Sequence, residues 1–415
     1  MAGPVDWLRG WRAPASKQHS AVAAGPLDFC EPDFVQNPYP YFARLRDAEP
    51  LHRSASGAWV FTRRSDILAA LADPRLGNAP APYAIIGPRN RDRYPCAEVA
   101  GNTLPFLDGP LHTRLRRLFA QAWTTQLREN PPDIETHARR LAAQCRAKGR
   151  FDLLREFATP LAVAVIGDVL GVPDTMRPAL HADARFFFYL FTHLPSHEVR
   201  AQTDAAVLRL REGFGRLLDD PEAARQGVIA RLRGREANEV SPEQVLDNLA
   251  LLWADGIGNV DSGIASAFAV LLQHPKQWRA LCAEPTLSAN AAAECLRFES
   301  PGQFIGRVVL EDLDWHGQAL KRGQVVLLVL ASANHDQHQH PNAQRFDIHG
   351  SGPSALSFGR GHHSCVGAAL ARSEVEIALR VAAEELPQLR LCVRTPEWQL
   401  RIGHRWLSAL PVSVD

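Results

Sequence analysis

The chain has 415 residues, 46% hydrophobic and 22% charged, a composition that supports a substantial buried core. A formal net charge of +1 supplies no overall field for nucleic acid or an anionic membrane, so neither is expected as a partner. The seven cysteines are scattered, odd in number and without a CxxC pair, which argues against a disulfide framework, a zinc ribbon or an iron–sulfur cluster. The first 20 residues carry Asp6, Arg9, Arg12 and Lys17 and lack the apolar run of a signal peptide. No later stretch is apolar for the ~18 residues a membrane helix needs. The expectation is a soluble, cytoplasmic protein.

In chain order, residues 1–35 read as an irregular arm and 39–46 as a short helix. Alternating apolar residues at 51–53 and 58–62 predict a hairpin. Residues 76–108, rich in Pro, Gly and Asn, read as a long loop of the kind that often forms a binding element. Helical periodicity then dominates near 111–123, 133–147, 155–169, 175–190, 196–217 and 242–273. The last begins with Ser241 as N-cap, Pro242 in the first turn and Gln244 completing a capping-box pattern. At ~1.5 Å per residue it would run ~48 Å, the width of a domain. Short strands are expected at 307–310, 313–315 and 325–328, irregular chain at 335–357, a helix at 366–385 and short strands to the end. The fold class is therefore mainly α with small β-sheets, and the length leaves one large core or two closely packed lobes open.

The segment richest in chemistry is Phe358-Gly359-Arg360-Gly361-His362-His363-Ser364-Cys365-Val366-Gly367. Its first two glycines permit a tight turn and close approach to a flat ligand. Cys365 precedes a predicted helix, whose N-terminus favours a thiolate. This segment resembles the F-G-x-G-x-H-x-C-x-G loop of the cytochrome P450 family, and Ala369-Leu370-Ala371-Arg372 resembles the family's continuation. The resemblance implies a single P450-like domain spanning 1–415, with the long helix crossing over haem b (iron protoporphyrin IX). It makes Cys365 the axial iron ligand, His363 a contact to a haem propionate, and Phe358, Gly359, Gly361 and Gly367 parts of the cofactor loop.

Other pairs extend the resemblance. Glu294 and Arg297, at i and i+3 on a predicted helix, resemble the family's E-x-x-R motif, with Arg345 as the implied third, structural partner. His112 and Arg116 share a helix face, and with Arg307 they are implied propionate contacts. In the long helix, Asp255-Gly256-Ile257-Gly258-Asn259 stands where the family carries Ala-Gly-x-Asp/Glu-Thr. Gly258 replaces the acid and Asn259 the threonine. Asn259, Gly258 and Asp255 are the residues expected at oxygen activation, with Asp261 turned to solvent or another helix. Gly256, Gly258 and Gly263 each cost about 1 kcal/mol in a helix interior, a cost that a bend or opening beside the oxygen site would explain.

By resemblance, the substrate pocket includes Trp253, Ile257, Gln303, Phe304, Ile305 and His404. It would take a small hydrophobic molecule of secondary metabolism, a terpenoid being one class, with a carboxyl or hydroxyl group held by Gln303 or His404. Electrons must come from outside, and Arg114, Arg117, Arg360 and Arg372 could receive an acidic ferredoxin-type donor. The leading expectation is a haem-thiolate monooxygenase that uses O2. Gly258-Asn259 keeps open a peroxygenase, a desaturase or a rearrangement, and a non-enzymatic haem sensor is the third class. Three histidines in Asn334-His335-Asp336-Gln337-His338-Gln339-His340 could hold zinc, although a polar loop is expected there.

Overall fold

The computed structural model describes residues 27–79, 90, 92–191, 196–234, 240–350 and 354–415. Most of the N-terminal arm, the middle of the 76–108 loop and residues 192–195 lie outside these residues.

The long helix Pro242–Gln273 organises the molecule. Its capping box forms as the sequence predicts. Ser241 Oγ accepts from the Gln244 amide at 3.3 Å, and Gln244 Oε1 accepts from the Ser241 amide at 3.0 Å. Helices Thr159–Leu170, Arg177–Phe187, His197–Asp219 and Ala368–Glu385 pack around it. Phe214 and Phe268 are fully buried in this core, each contributing about 1.5–3 kcal/mol. The ends of the helix are set by Ser241 and by Pro275 after His274, so its span matches the apolar run.

The strands are β1 (Leu51–Arg53), β2 (Trp59–Phe61), β3 (Leu76–Gly77), β4 (Arg150–Asp152), β5 (Ile305–Val309), β6 (Leu313–Trp315), β7 (Gln318–Leu320), β8 (Val325–Leu328), β9 (Arg390–Leu391) and β10 (Pro411–Ser413). Five of them form one sheet in the order β1-β2-β8-β5-β3. β2 and β8 run parallel, with Val60 opposite Leu327, and the other neighbours are antiparallel. All three residues of β2 are buried, as expected of a strand covered on both faces. β4, β10 and β9 form a second sheet and β6–β7 a hairpin.

Two expectations change. The 76–108 segment is not all loop: it contains the helix Pro95–Asn102, whose Cys96, Ala97, Val99 and Ala100 are buried. Pro95 fits the first turn, and the apolar pattern is too short to stand out against the surrounding turn residues. The arm also holds a short helix, Pro32–Gln36. Among the described residues, no helix is long and apolar enough to cross a membrane.

Candidate active site

The Cys365 loop is built by its glycines. Gly359 has φ +64° and Gly361 φ +80°, the left-handed region that a side chain makes costly. The turn is closed by the Cys365 amide donating to the Phe358 carbonyl at 2.9 Å. Gly367 caps the helix Ala368–Glu385, and its N–H donates to the Cys365 sulfur. Arg372, one turn into that helix, stacks over the Phe358 ring at 4.7 Å. Cys365 is accessible, yet burial by the surrounding protein pushes its thiol up to about 11. Asp255 pushes the same way, while the Gly367 amide, Arg116 and Arg372 oppose it. A bound metal ion reverses this balance and removes the proton outright.

The residues beside Cys365 fit a flat, anionic cofactor. His112 is fully buried, and neither of its ring nitrogens has a hydrogen-bond partner among the described residues. Burial in the company of other basic groups drives its pKa down to about 3. Arg116, one turn along, feels the Cys365 sulfur electrostatically. Unmet donors on a basic wall next to a thiol are what the propionate edge of haem requires. Arg307 is buried on β5 and donates to the Gly306 carbonyl at 2.8 Å. His363 departs from its expected role, because both its ring nitrogens are engaged. Nε2 meets Asp108 Oδ1 at 3.1 Å and Nδ1 meets the Asn78 amide at 3.3 Å. Asp108 also accepts from the Asn78 and Ala79 amides at 2.6 and 2.8 Å. It was not singled out in the sequence, because a lone Asp before Gly109 reads as an ordinary turn residue.

Beneath the loop, Arg297 grips both oxygens of Glu294 at 2.7 and 2.8 Å. Its remaining N–H groups meet the carbonyls of Asn334, Ala343 and Arg345 at 2.7, 2.6 and 3.1 Å. The Asp347 amide donates to Glu294 at 2.9 Å. Arg345 is therefore not the third partner expected of it. Its guanidinium is 73% exposed and among the described residues reaches only Asp347, at 3.9 Å, while its backbone carbonyl serves the pair. A loop carbonyl and a backbone amide do the work that a second guanidinium would have done.

On the long helix, Asp255 and Asn259 stand one turn apart. Asn259 Nδ2 donates to Asp255 Oδ1 at 3.4 Å, and Asn259 Oδ1 has no partner among the described residues. Burial pushes the Asp255 carboxyl up to about 7. Gly256 and Gly258 have a different purpose from the one expected. A Cβ on Gly256 would lie 2.6 Å from Ile166, and one on Gly258 would lie 2.7 Å from Phe188 and 2.8 Å from Trp406. These glycines admit neighbouring side chains against an uninterrupted helix, rather than opening it, and Gly258 carries no reacting group. Asp261 turns to the neighbouring helix, where the Thr159 hydroxyl donates to it at 2.8 Å.

The expected pocket residues divide. Trp253 is fully buried, its ring centroid 6.4 Å from that of Phe214, and Ile257 is buried as well. Ile305 packs among the strands. Gln303, Phe304 and His404 share a cleft with Trp398, Arg401 and Gly403. Burial lowers the His404 pKa to about 3, leaving a neutral imidazole. Arg401 escaped the sequence reading, since nothing local marks an arginine between Leu400 and Ile402. The histidine-rich loop does not converge. His335 Nε2 donates to the Phe298 carbonyl at 2.8 Å, His338 meets Asp47 at 3.0 Å, and no metal-holding cluster occurs among the described residues.

Comparison with known proteins agrees with this geometry. Residues 150–381 match the family model described as Cytochrome P450. The chain is 32% identical over 393 residues to the biotin biosynthesis cytochrome P450 of Bacillus subtilis (strain 168), covering 92% of this chain and 98% of that protein. It is 32% identical over 400 residues to the cytochrome P450 monooxygenase PikC of Streptomyces venezuelae, covering 92% of each. The solved structure of P450BioI, in complex with an acyl carrier protein ligated to hexadec-9Z-enoic acid, superposes with TM-score 0.85 at 29% identity, covering 92% of this chain and 100% of that one.

Proposed function

Because the chain belongs to the cytochrome P450 family and is a monooxygenase, we propose that it oxidises a small hydrophobic molecule of secondary metabolism with O2 and electrons from a ferredoxin-type donor. The observation that carries this reading is the placement of Cys365 in a left-handed glycine turn at a helix N-terminus, within electrostatic reach of Asp255 on the long helix. Haem b, held by Cys365 with His112 and Arg116 at its propionate edge, would supply oxygen activation, and thiolate ligation favours O–O cleavage.

The chain's own contribution is proton handling and exclusion of water. Asp255, its carboxyl held near 7 by burial, can hold or release a proton at Oδ1 or Oδ2. Asn259 fixes that carboxyl through its amide and offers Oδ1 to a water or to the substrate. The pair takes the place of the acid and alcohol usual in the family. Exposed Arg117 and Arg360 beside the Cys365 loop support docking of an acidic donor. The scattered cysteines, without a CxxC pair, support a reducing, cytoplasmic setting.

Gly258 and Asn259 favour one further reading of the same site, use of peroxide in place of O2 and electrons. The test is product formation from a panel of apolar compounds under two regimes. Turnover that needs ferredoxin, its reductase and O2 supports the monooxygenase cycle. Equal turnover with hydrogen peroxide alone establishes the alternative.

A further inference from the structure

Arg401 lies in the cleft with Gln303, Phe304, Trp398 and His404. Its guanidinium stacks over Trp406 at 4.2 Å, with Tyr189 at 5.5 Å and Phe188 at 5.7 Å. Stacking uses the flat face of the group and leaves the N–H donors on its edge. Among the described residues those donors form no hydrogen bond and no ion pair. A guanidinium stays charged in a protein, and this half-buried one, with no acceptor among the described residues, gains when a ligand supplies one. Asp261 is the acid in electrostatic reach, and it is already committed to Thr159 at 2.8 Å and Ser262 at 3.2 Å. Next to Arg401, His404 has Nδ1 buried and unpartnered.

The surroundings are apolar. Phe29, Phe34, Phe304 and Trp398 line the cleft. Phe188 and Trp406, which pack against the Arg401 guanidinium and the His404 ring, also press on the long helix at Gly258, next to Asn259. A group fixed at Arg401 is thus connected by aromatic wall to the helix that carries Asp255.

We propose that Arg401, with His404 beside it, anchors the carboxylate of an elongated apolar substrate and so sets which substrates the enzyme accepts. The proposal rests on the monooxygenase reading and narrows its substrate class. The carboxylate takes two in-plane N–H donors of Arg401 and the Nδ1–H of the neutral His404, and the chain lies along the aromatic wall.

The test compares dodecanoate with dodecanol on the haem-loaded protein, by the shift of the haem absorption band and by calorimetric titration. Carbon monoxide spectra of each preparation are recorded first. Wild type is expected to bind dodecanoate about tenfold or more tightly than dodecanol, as a charge-assisted bidentate pair allows. In Arg401→Ala that preference collapses toward one, and Arg401→Lys retains part of it. A wild-type protein that binds the two probes equally, or an Arg401→Ala protein that keeps the preference, overturns the anchor. With a normal thiolate spectrum, either result leaves the monooxygenase reading standing. An abnormal spectrum in wild type removes that reading and the anchor with it.

Discussion

Asn259 reaches back one helical turn to hold Asp255, donating from Nδ2 to Oδ1 at 3.4 Å, on the stretch of the long helix that faces Cys365. The arrangement joins a buried carboxyl near neutrality to an amide that cannot titrate. If this pair manages protons for O2-driven turnover, Asn259→Ala and Asp255→Ala each lower that turnover by about 10²-fold, the scale of a lost general acid–base group. Peroxide-driven turnover, which needs fewer proton transfers, falls far less. The ratio of the two rates in each variant is the measurement.

Gly258 stands where the family carries an acid, but the structure leaves no room for one. A Cβ there would lie 2.7 Å from the Phe188 ring and 2.8 Å from Trp406. Gly258→Glu is therefore expected to cost about 1–3 kcal/mol in stability through overpacking and to gain no activity. Thermal denaturation and turnover of the purified variant check both parts.

The Glu294–Arg297 pair and Arg345 should separate cleanly. Removing Arg297 leaves a buried carboxylate unpaired and three carbonyls without their donor, so Arg297→Ala is expected to destabilise by about 3–5 kcal/mol. Arg345→Ala removes an exposed side chain and should stay within about 0.5 kcal/mol of wild type. Denaturant titration of both variants provides the comparison.

Asp261 gives the protein a pH dependence. Burial pushes its carboxyl up to about 7, against the opposing pull of Thr159, Ser262 and Arg401. The folded state thus prefers the protonated acid. That stabilisation is complete below the ordinary carboxylate pKa near 4 and is lost as the pH rises through 7. Asp261→Asn, which cannot ionise, should match wild type at low pH and exceed it by about 2 kcal/mol or more at pH 8. Unfolding midpoints measured across that range follow the difference.

The parts of the molecule legible in the sequence are those fixed by local chemistry. Ser241, Pro242 and Gln244 mark the start of the long helix because capping involves only neighbours along the chain. The glycines around Cys365 mark their turn because φ is a property of single residues. What sequence could not reveal depends on direction in space. Arg345 lies in the expected segment but points to solvent, and only its carbonyl reaches Arg297. Trp253 sits on the right helix but faces Phe214 and the core. His363 is spent on Asp108 and Asn78, partners that belong to a distant part of the chain. Arg401 becomes visible only when its segment folds over Trp406.

We infer that Cys365 ligates haem iron through its sulfur. The most direct test is the absorption spectrum of the reduced, carbon monoxide-treated protein, recorded beside Cys365→Ala. Wild type is expected to show a strongly red-shifted Soret band that disappears in the variant. Absence of haem from the wild-type protein, or a spectrum that Cys365→Ala leaves unchanged, would contradict it.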